Sequence, residues 1–202
     1  MSTPRSLSLC WRWALVAVVG LAGCRSVGRE LTPPADAPRF QAKDAASFND
    51  GLTAVPVRMV GRAPGDVQDQ RLFAERLGYA SLVVLVEVIS AWERRRPGKP
   101  TERFVEVRLG EALLHDVPKR TRAEQSLVVR SEDPLPSDIL GRSFILFVRW
   151  APGERPGFHH HLMSADEDSV DLIRAMVRHA QEAGTLAPQR GVRRQRGGGS
   201  GR

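Results

Sequence analysis

The chain contains almost no cysteine. Two of its 202 residues are cysteines, Cys10 and Cys24, and both lie near the N-terminus. The chain after Cys24 therefore has no thiol, which excludes disulfide bonds and a nucleophilic cysteine from that region. A domain there has to be stabilised by its own hydrophobic core, and roughly 120 residues are enough for one.

The catalytic motifs that are easiest to recognise are also missing. The sequence has no Gly-x-Ser-x-Gly nucleophile elbow, no His-Glu-x-x-His zinc motif and no phosphate-binding glycine loop between a strand and a helix. We therefore predict no catalytic residues and no cofactor, and a domain that binds or supports other molecules without catalysing a reaction.

The N-terminal apolar run is too short to span a bilayer. It covers residues 13–23, whereas a transmembrane helix needs about 20 residues. Arg5 and Arg12 precede this run, and no acidic residue does. A positive segment, a short apolar segment and small residues at its end are typical of a secretory signal peptide, here residues 1–23.

The end of this run, Leu21-Ala22-Gly23-Cys24, resembles the lipobox of bacterial lipoproteins. The resemblance implies cleavage before Cys24 and attachment of a diacylglyceryl group and a further fatty acyl chain, such as palmitate, to that residue. Several acyl chains together anchor a protein stably in a lipid bilayer. Arg25 follows the cysteine, and by similarity to enterobacterial sorting this implies the outer membrane, facing the periplasm. The alternative is an ordinary signal peptide that happens to contain a cysteine.

Positive charge is concentrated at the two ends of the chain. The formal net charge is +7, but the signal peptide contributes two arginines and the tail, residues 185–202, contributes five. The region between them is neutral overall. A strongly basic domain that binds nucleic acid is therefore not indicated, although the Gly/Arg-rich tail resembles nucleic-acid-binding segments. We expect the tail to be a disordered end that can contact an anionic envelope polymer or lipid headgroups.

The rest of the chain predicts a tether and one domain. Residues 24–51 contain three prolines and no sustained apolar period, which indicates a lipidated tether. Residues 52–184 predict a mostly β domain of the α+β class, a small antiparallel sheet of five strands that curls or closes into a barrel, with a C-terminal helix. The predicted strands are Ser81–Ile89, Arg103–Leu109 with Leu114 as the alternative end, Ser126–Arg130, Arg142–Trp150 and Phe158–Met163.

Shorter features complete the prediction. Thr53–Val60 contains Pro56 and is at best an edge strand. A short helix should begin with Asp66 as its N-cap and end at Gly78. For the C-terminal helix, Ser164 with Glu167 three residues later forms a capping-box pattern.

The domain weakly resembles the OB-like barrels of TIMP and netrin-type modules. The resemblance rests on three stretches, Leu82–Ile89, Phe104–Leu113 and Gly141–Phe147. It implies a small closed β-barrel. The inhibitory members of that group use an N-terminal cysteine pair held in disulfides, which this domain lacks, so protease inhibition is not implied.

Three consecutive histidines form the clearest candidate site. On a strand, His159 and His161 would point to one face and His160 to the other. With His115 as a third ligand, His159 and His161 could bind zinc or copper, which makes a metal-dependent envelope protein the alternative function. Surface histidines at the end of a strand would explain the same pattern.

Two tryptophans and one glutamate are further candidates. Trp92 and Trp150 could form a stacking platform for a sugar or peptidoglycan fragment, or they could cap the core. Glu87 interrupts an apolar strand, and we expect it to pair with Arg108 or Arg149 across the sheet. A lone buried acid with a raised pKa is the alternative.

Overall fold

A computed structural model describes residues 31–118 and 126–186. The lipobox with Cys24 and the tail beyond residue 186 lie outside the described residues. The described chain forms one curled β-sheet and two α-helices. The strands are β1 Gly51–Thr53, β2 Leu82–Arg94, β3 Glu102–Leu114, β4 Ser126–Ser131, β5 Ser143–Trp150 and β6 Phe158–Ser164, and the helices are α1 Pro64–Tyr79 and α2 Glu167–Glu182.

The sheet has six strands in the order β1-β6-β5-β2-β3-β4. The mostly β, α+β class with a curled sheet is confirmed, whereas the predicted number of five strands is wrong. The additional strand, β1, has three residues and pairs with β6 in parallel, so the sheet is not purely antiparallel. Three residues are too few to show an apolar period, which is why the sequence pattern did not reveal this strand. The predicted edge strand Thr53–Val60 is not formed beyond Thr53.

Both faces of the sheet are apolar, and they pack against different partners. On β2, Val84 and Val86 belong to a core enclosed by the curl of the sheet. Val83 faces the opposite side, where Phe73 of α1 and Ile173 of α2 cover the sheet. The apolar run before Glu87 in β2 therefore belongs to a central strand that is buried on both faces.

The helix caps differ from the prediction. α1 begins at Pro64 with Ala63 as N-cap, and the Asp66 carboxylate accepts a hydrogen bond from the Ala63 backbone N–H at 3.2 Å. Proline fits the first helical position because it has no N–H to leave unpaired. α2 is capped by Asp166, which accepts from the Ser169 N–H at 2.6 Å, whereas Ser164 is the last residue of β6.

Part of the predicted tether packs onto the domain. Leu31 is buried in the core enclosed by the curl of the sheet, and Phe48 is buried in the core between the sheet and the two helices. The Asp44 carboxylate, in a short 3₁₀ helix at Ala42–Ala46, is fully enclosed and lies 3.1 Å from the Arg149 Nε of β5. The packed part of the molecule therefore begins before residue 52, the boundary that composition indicated.

The curl of the sheet brings its two edges together at one end. The Glu132 N–H, just after β4, donates to the Asp50 carbonyl at 2.8 Å. The Leu52 N–H of β1 donates to the Asp133 carboxylate at 2.7 Å. Gly51 lies between these contacts, and a side chain there would collide with the Asp133 carboxylate. The line along which β4 faces β1 and β6 is called the seam below.

No helix within residues 31–118 and 126–186 is both long enough and apolar enough to cross a membrane.

Candidate functional site

The three histidines of β6 lie against the segment that leads into β1. Parallel pairing sets Gly51 opposite His161. The two residues before Gly51, Asn49 and Asp50, are thereby brought to the histidine side chains, although they are more than 100 positions away in the sequence. The short strand β1 thus assembles the polar cluster at the seam.

His161 is a neutral, buried part of the framework. Its Nδ1 lies 2.9 Å from Asn49 Oδ1, and its Nε2 lies 2.8 Å from the Thr53 hydroxyl. Because the amide oxygen can only accept, Nδ1 carries the proton and Nε2 accepts from Thr53. Burial, and then the nearby charges of Arg76 and His160, lower the pKa of His161 to about 2. Both ring nitrogens are therefore already used by the protein.

His159 is held between two carboxylates. Its Nδ1 lies 3.1 Å from Asp50 Oδ2, and its Nε2 lies 3.0 Å from Glu154 Oε2. Burial lowers the pKa of His159, but the hydrogen bond to Glu154 and the charge of Asp50 outweigh it, so the pKa is raised. The ring packs against Phe40 with 4.3 Å between centroids. Two carboxylate partners favour the imidazolium form, which donates at both nitrogens.

His160 is buried and has no hydrogen bond from either ring nitrogen within the described residues. Its side chain is 3% exposed. Its Nδ1 lies 3.0 Å from Asp50 Oδ1, and Nε2 has no partner there. The same Asp50 oxygen accepts from the His160 backbone N–H at 3.0 Å. An imidazole nitrogen buried without a partner is unusual, because such a group loses its bond to water without compensation.

Asp50 connects the two imidazoles. Its backbone has a φ of 53°, a left-handed conformation that aspartate adopts more readily than most residues. Burial raises the pKa of its carboxyl, but interactions with His160 and His159 outweigh that effect, so the pKa is lowered. Asp50 is therefore an anion at neutral pH and is fixed by contacts to both residues.

A cavity of about 580 Å³ opens beside His160 at the seam. It is bordered by β4 on one side and by the start of β6 on the other, because β1 covers β6 only from His161 onward. This volume lies within the range of about 300–1,000 Å³ that is usual for small-molecule sites. The lining is mainly apolar, and the described residues that form it include no serine, threonine or cysteine. They are Asp50, Phe104, Val128, Val129, Arg130, Arg155, Pro156, Phe158, His159 and His160.

The structure does not bring the three predicted metal ligands together. His115 lies just after β3, where it borders a groove between α1 and α2. His159 lines the seam cavity, and His161 is engaged by Asn49 and Thr53. Among residues 31–118 and 126–186, no group of three or more histidine, cysteine, aspartate or glutamate side chains is placed to hold a metal ion.

The two tryptophans have different surroundings. Trp92 is 37% exposed and stacks on Phe104, with 5.5 Å between ring centroids. Trp150 is 5% exposed and packs edge-on against Phe158 in the core. They therefore form no common platform, and Trp150 caps the core.

Glu87 is not a buried acid. Its carboxylate lies 2.7 Å from Arg108 Nη1, and both side chains are exposed. The expected cross-strand ion pair is thus formed with Arg108, whereas Arg149 pairs with Asp44.

The residues that matter most at the seam were not identified from the sequence. Asp50 stood in the predicted tether, and His160 was placed on the face opposite the proposed metal ligands. The one signal in the sequence was the unusual run of three histidines on an apolar strand. Which of the three lacked a partner depended on pairing with a segment far away in the chain.

No protein-family model matches the chain, and no match was found among curated proteins.

Proposed function

We propose that the protein is a lipid-anchored lipoprotein of the cell envelope, and that its β domain binds a small, largely apolar molecule in the seam cavity without catalysing a reaction. The observation that carries the binding role is the cavity of about 580 Å³ beside a buried imidazole without a hydrogen bond. Mostly apolar clefts or cavities with a few polar groups are the usual form of small-molecule sites.

The side chains around the cavity support binding more than catalysis. Asp50 contacts Nδ1 of His159, and Glu154 contacts its Nε2, so both ring nitrogens of His159 already have carboxylate partners. A general acid or base needs a nearby group that reacts, and the described lining offers no hydroxyl or thiol nucleophile.

The envelope location rests on the sequence. Leu21-Ala22-Gly23-Cys24 follows a short apolar segment with a positive start, which supports acylation of Cys24 and retention at a membrane, with the outer membrane facing the periplasm as the proposed site. The arginines of the tail add attraction to anionic headgroups or envelope polymers.

Replacement of the lipidated residue tests the anchor. We expect Cys24→Ser to yield an unprocessed or soluble species, because the acyl chains are the main attachment to the bilayer. Detergent-phase partitioning of membrane extracts measures this, with Cys10→Ser as the matched control because Cys10 lies within the signal peptide. A correctly cleaved Cys24→Ser protein that enters the detergent phase as fully as the wild type would contradict the anchor.

Filling the cavity tests the binding role. Val128 is half-buried on β4 and lines the cavity, so Val128→Trp should remove much of the volume with little damage to the core. Binding of 2-methoxynaphthalene to the full-length protein in non-ionic detergent is followed by the NMR shifts of the Val129 methyl groups. We expect saturable shifts in the wild type and a loss of affinity of at least tenfold in Val128→Trp.

The matched control is Val60→Trp, because Val60 is 93% exposed and does not line the cavity. The Val60→Trp protein should bind the probe with the affinity of the wild type. All proteins are measured in the same detergent, so partition of the probe into micelles affects every affinity equally. Equal affinity in the wild type and Val128→Trp would remove the cavity as the binding site.

A further inference from the structure

We infer that the seam cavity takes apolar molecules that end in a carboxylate, and that Arg130 and Arg155 bind this carboxylate. The inference rests on the proposed binding role of the cavity and adds the chemical class of the ligand. It follows from two guanidinium groups that border an otherwise mainly apolar lining.

The two arginines come from the two opposite borders of the cavity. Arg130 is on β4, and Arg155 lies in the connection between β5 and β6. Both line the cavity, and both are exposed. Long basic side chains of this kind keep the charged group in water while their stems cover apolar surface. An anion held by these arginines would therefore stay partly hydrated, with the rest of the ligand inside the cavity.

Both guanidinium groups have donors to offer. Within residues 31–118 and 126–186, Arg155 forms no ion pair. Arg130 Nη2 lies 3.2 Å from Glu132 Oε1, but both side chains are about half exposed, and an exposed pair of this kind contributes only about 0–1 kcal/mol. A guanidinium carries five N–H donors in a planar fork that matches the two oxygens of a carboxylate. A ligand carboxylate thus finds donors without breaking a strong contact.

The acidic groups near the cavity are already engaged. Asp50 is the one acid among the described lining residues. Its Oδ1 accepts from the His160 backbone N–H at 3.0 Å, and its Oδ2 lies 3.1 Å from His159 Nδ1. Glu154, outside the lining, contacts the other ring nitrogen of His159 at 3.0 Å. Because the carboxylates have partners and Arg155 has none in the same part of the chain, the cavity favours an anion over a cation.

The apolar walls determine the rest of the ligand. Phe158 and Val129 are buried residues that line the cavity together with Phe104. A small hydrophilic anion would gain only a contact with exposed arginines, which is worth little in water. An apolar body adds the burial of its own surface in the cavity. The two contributions together favour a molecule with an apolar body and one carboxylate.

Three probes of similar size test the inference on the full-length protein at about pH 7.5. They are 2-naphthoate, which is an anion, 2-methoxynaphthalene, which is neutral, and 2-naphthylmethylammonium, which is a cation. Affinities come from the Val129 methyl shifts in the same detergent. The measured quantity is the affinity for each charged probe divided by that for 2-methoxynaphthalene. Comparing this ratio between proteins removes the different partition of the probes into micelles.

Removing the two arginines should remove the preference for the anion. In the double variant Arg130→Gln/Arg155→Gln we expect the ratio for 2-naphthoate to fall at least about tenfold, the effect of losing charge-assisted hydrogen bonds. The matched control is Arg58→Gln/Arg178→Gln, which removes the same charge from two exposed residues outside the lining. The control should keep the ratio of the wild type.

Reversing one charge should reverse the selectivity. In Arg155→Glu we expect the ratio for 2-naphthoate to fall and the ratio for 2-naphthylmethylammonium to rise, because a carboxylate then stands where the ligand's charged group binds. Arg178→Glu changes the net charge equally and should alter neither ratio by more than about twofold, because salt screens exposed charges beyond roughly 10 Å.

The outcomes separate the inference from the proposed function. An unchanged ratio for 2-naphthoate in Arg130→Gln/Arg155→Gln would overturn the role of the arginines and leave binding in the cavity intact. An equal fall in Arg58→Gln/Arg178→Gln would show that overall charge attracts the anion, and would also overturn the inference. So would a wild type that binds 2-methoxynaphthalene but not 2-naphthoate. Binding of none of the three probes would overturn the proposed function as well.

Discussion

Val86→Asp should leave the domain largely unfolded. Val86 is 2% exposed in the middle of β2 and belongs to the core enclosed by the sheet. A carboxylate there would have no partner, which costs several kcal/mol whether it stays charged or is protonated. Because a domain of this size is stable by about 5–15 kcal/mol in total, most of that stability would be lost. Chemical denaturation and protease resistance of the purified protein measure the effect.

The neighbouring residue provides the control. The Glu87 side chain is exposed and pairs with the exposed Arg108, so Glu87→Ala should change the free energy of unfolding by no more than about 1 kcal/mol. On β3, Val107→Asp and Glu106→Ala repeat the comparison, since Val107 is fully buried and Glu106 is not. Similar losses for the two members of either pair would show that the assignment of strand faces is wrong.

His161→Gln should reverse its effect on stability between neutral and acidic pH. At about pH 7.5 the variant should be less stable by roughly 1–2 kcal/mol, because glutamine replaces only part of the hydrogen bonding to Asn49 and Thr53. At about pH 4.5 the variant should be the more stable protein. Urea denaturation at a series of pH values measures both.

The reversal follows from the lowered pKa of His161. An unfolded histidine has a pKa of 6.5, whereas the folded His161 has a pKa of about 2. Below pH 6.5 the unfolded state therefore binds a proton that the folded state does not, and the free energy of unfolding falls with pH. The loss reaches about 3 kcal/mol near pH 4.5. Glutamine does not titrate, so the variant avoids it.

His159 does not obscure this result. Its pKa is raised in the folded state, so its stabilising effect is fully present below pH 6.5 and is lost only as the pH rises through the folded pKa. His179→Gln is the control, because His179 is exposed on α2, and it should follow the pH dependence of the wild type. A constant difference between the wild type and His161→Gln at all pH values would show that His161 titrates normally when folded.

Local patterns identified the longer elements of the fold. The alternation of Val105, Val107 and Leu109 indicates a strand with one buried face, and all three side chains lie in the core enclosed by the sheet. The apolar run of β2 indicates a strand buried on both faces, which the structure also shows. In these long strands the residues that face the core are apolar, so apolar residues recur along the sequence with the period of a strand. The helix N-caps were predicted less well. Asp66 and Ser164 have side chains that can cap a helix, but α1 begins two residues before Asp66, and Ser164 is the last residue of β6.

The sequence by itself determined the buried faces of the long strands and the neutrality of the central region, because each depends on residues that are close together in the chain. Attachment through Cys24 stays a prediction from the sequence. Only the tertiary structure decided the roles of the three histidines, which are identical in the sequence. Pairing of β6 with β1 supplies partners to His161, and Asp50 with Glu154 holds His159. His160 lines the cavity and has no hydrogen bond from either ring nitrogen within the described residues. Contacts with residues more than 100 positions away set most of these environments, so the local sequence could not distinguish the three histidines.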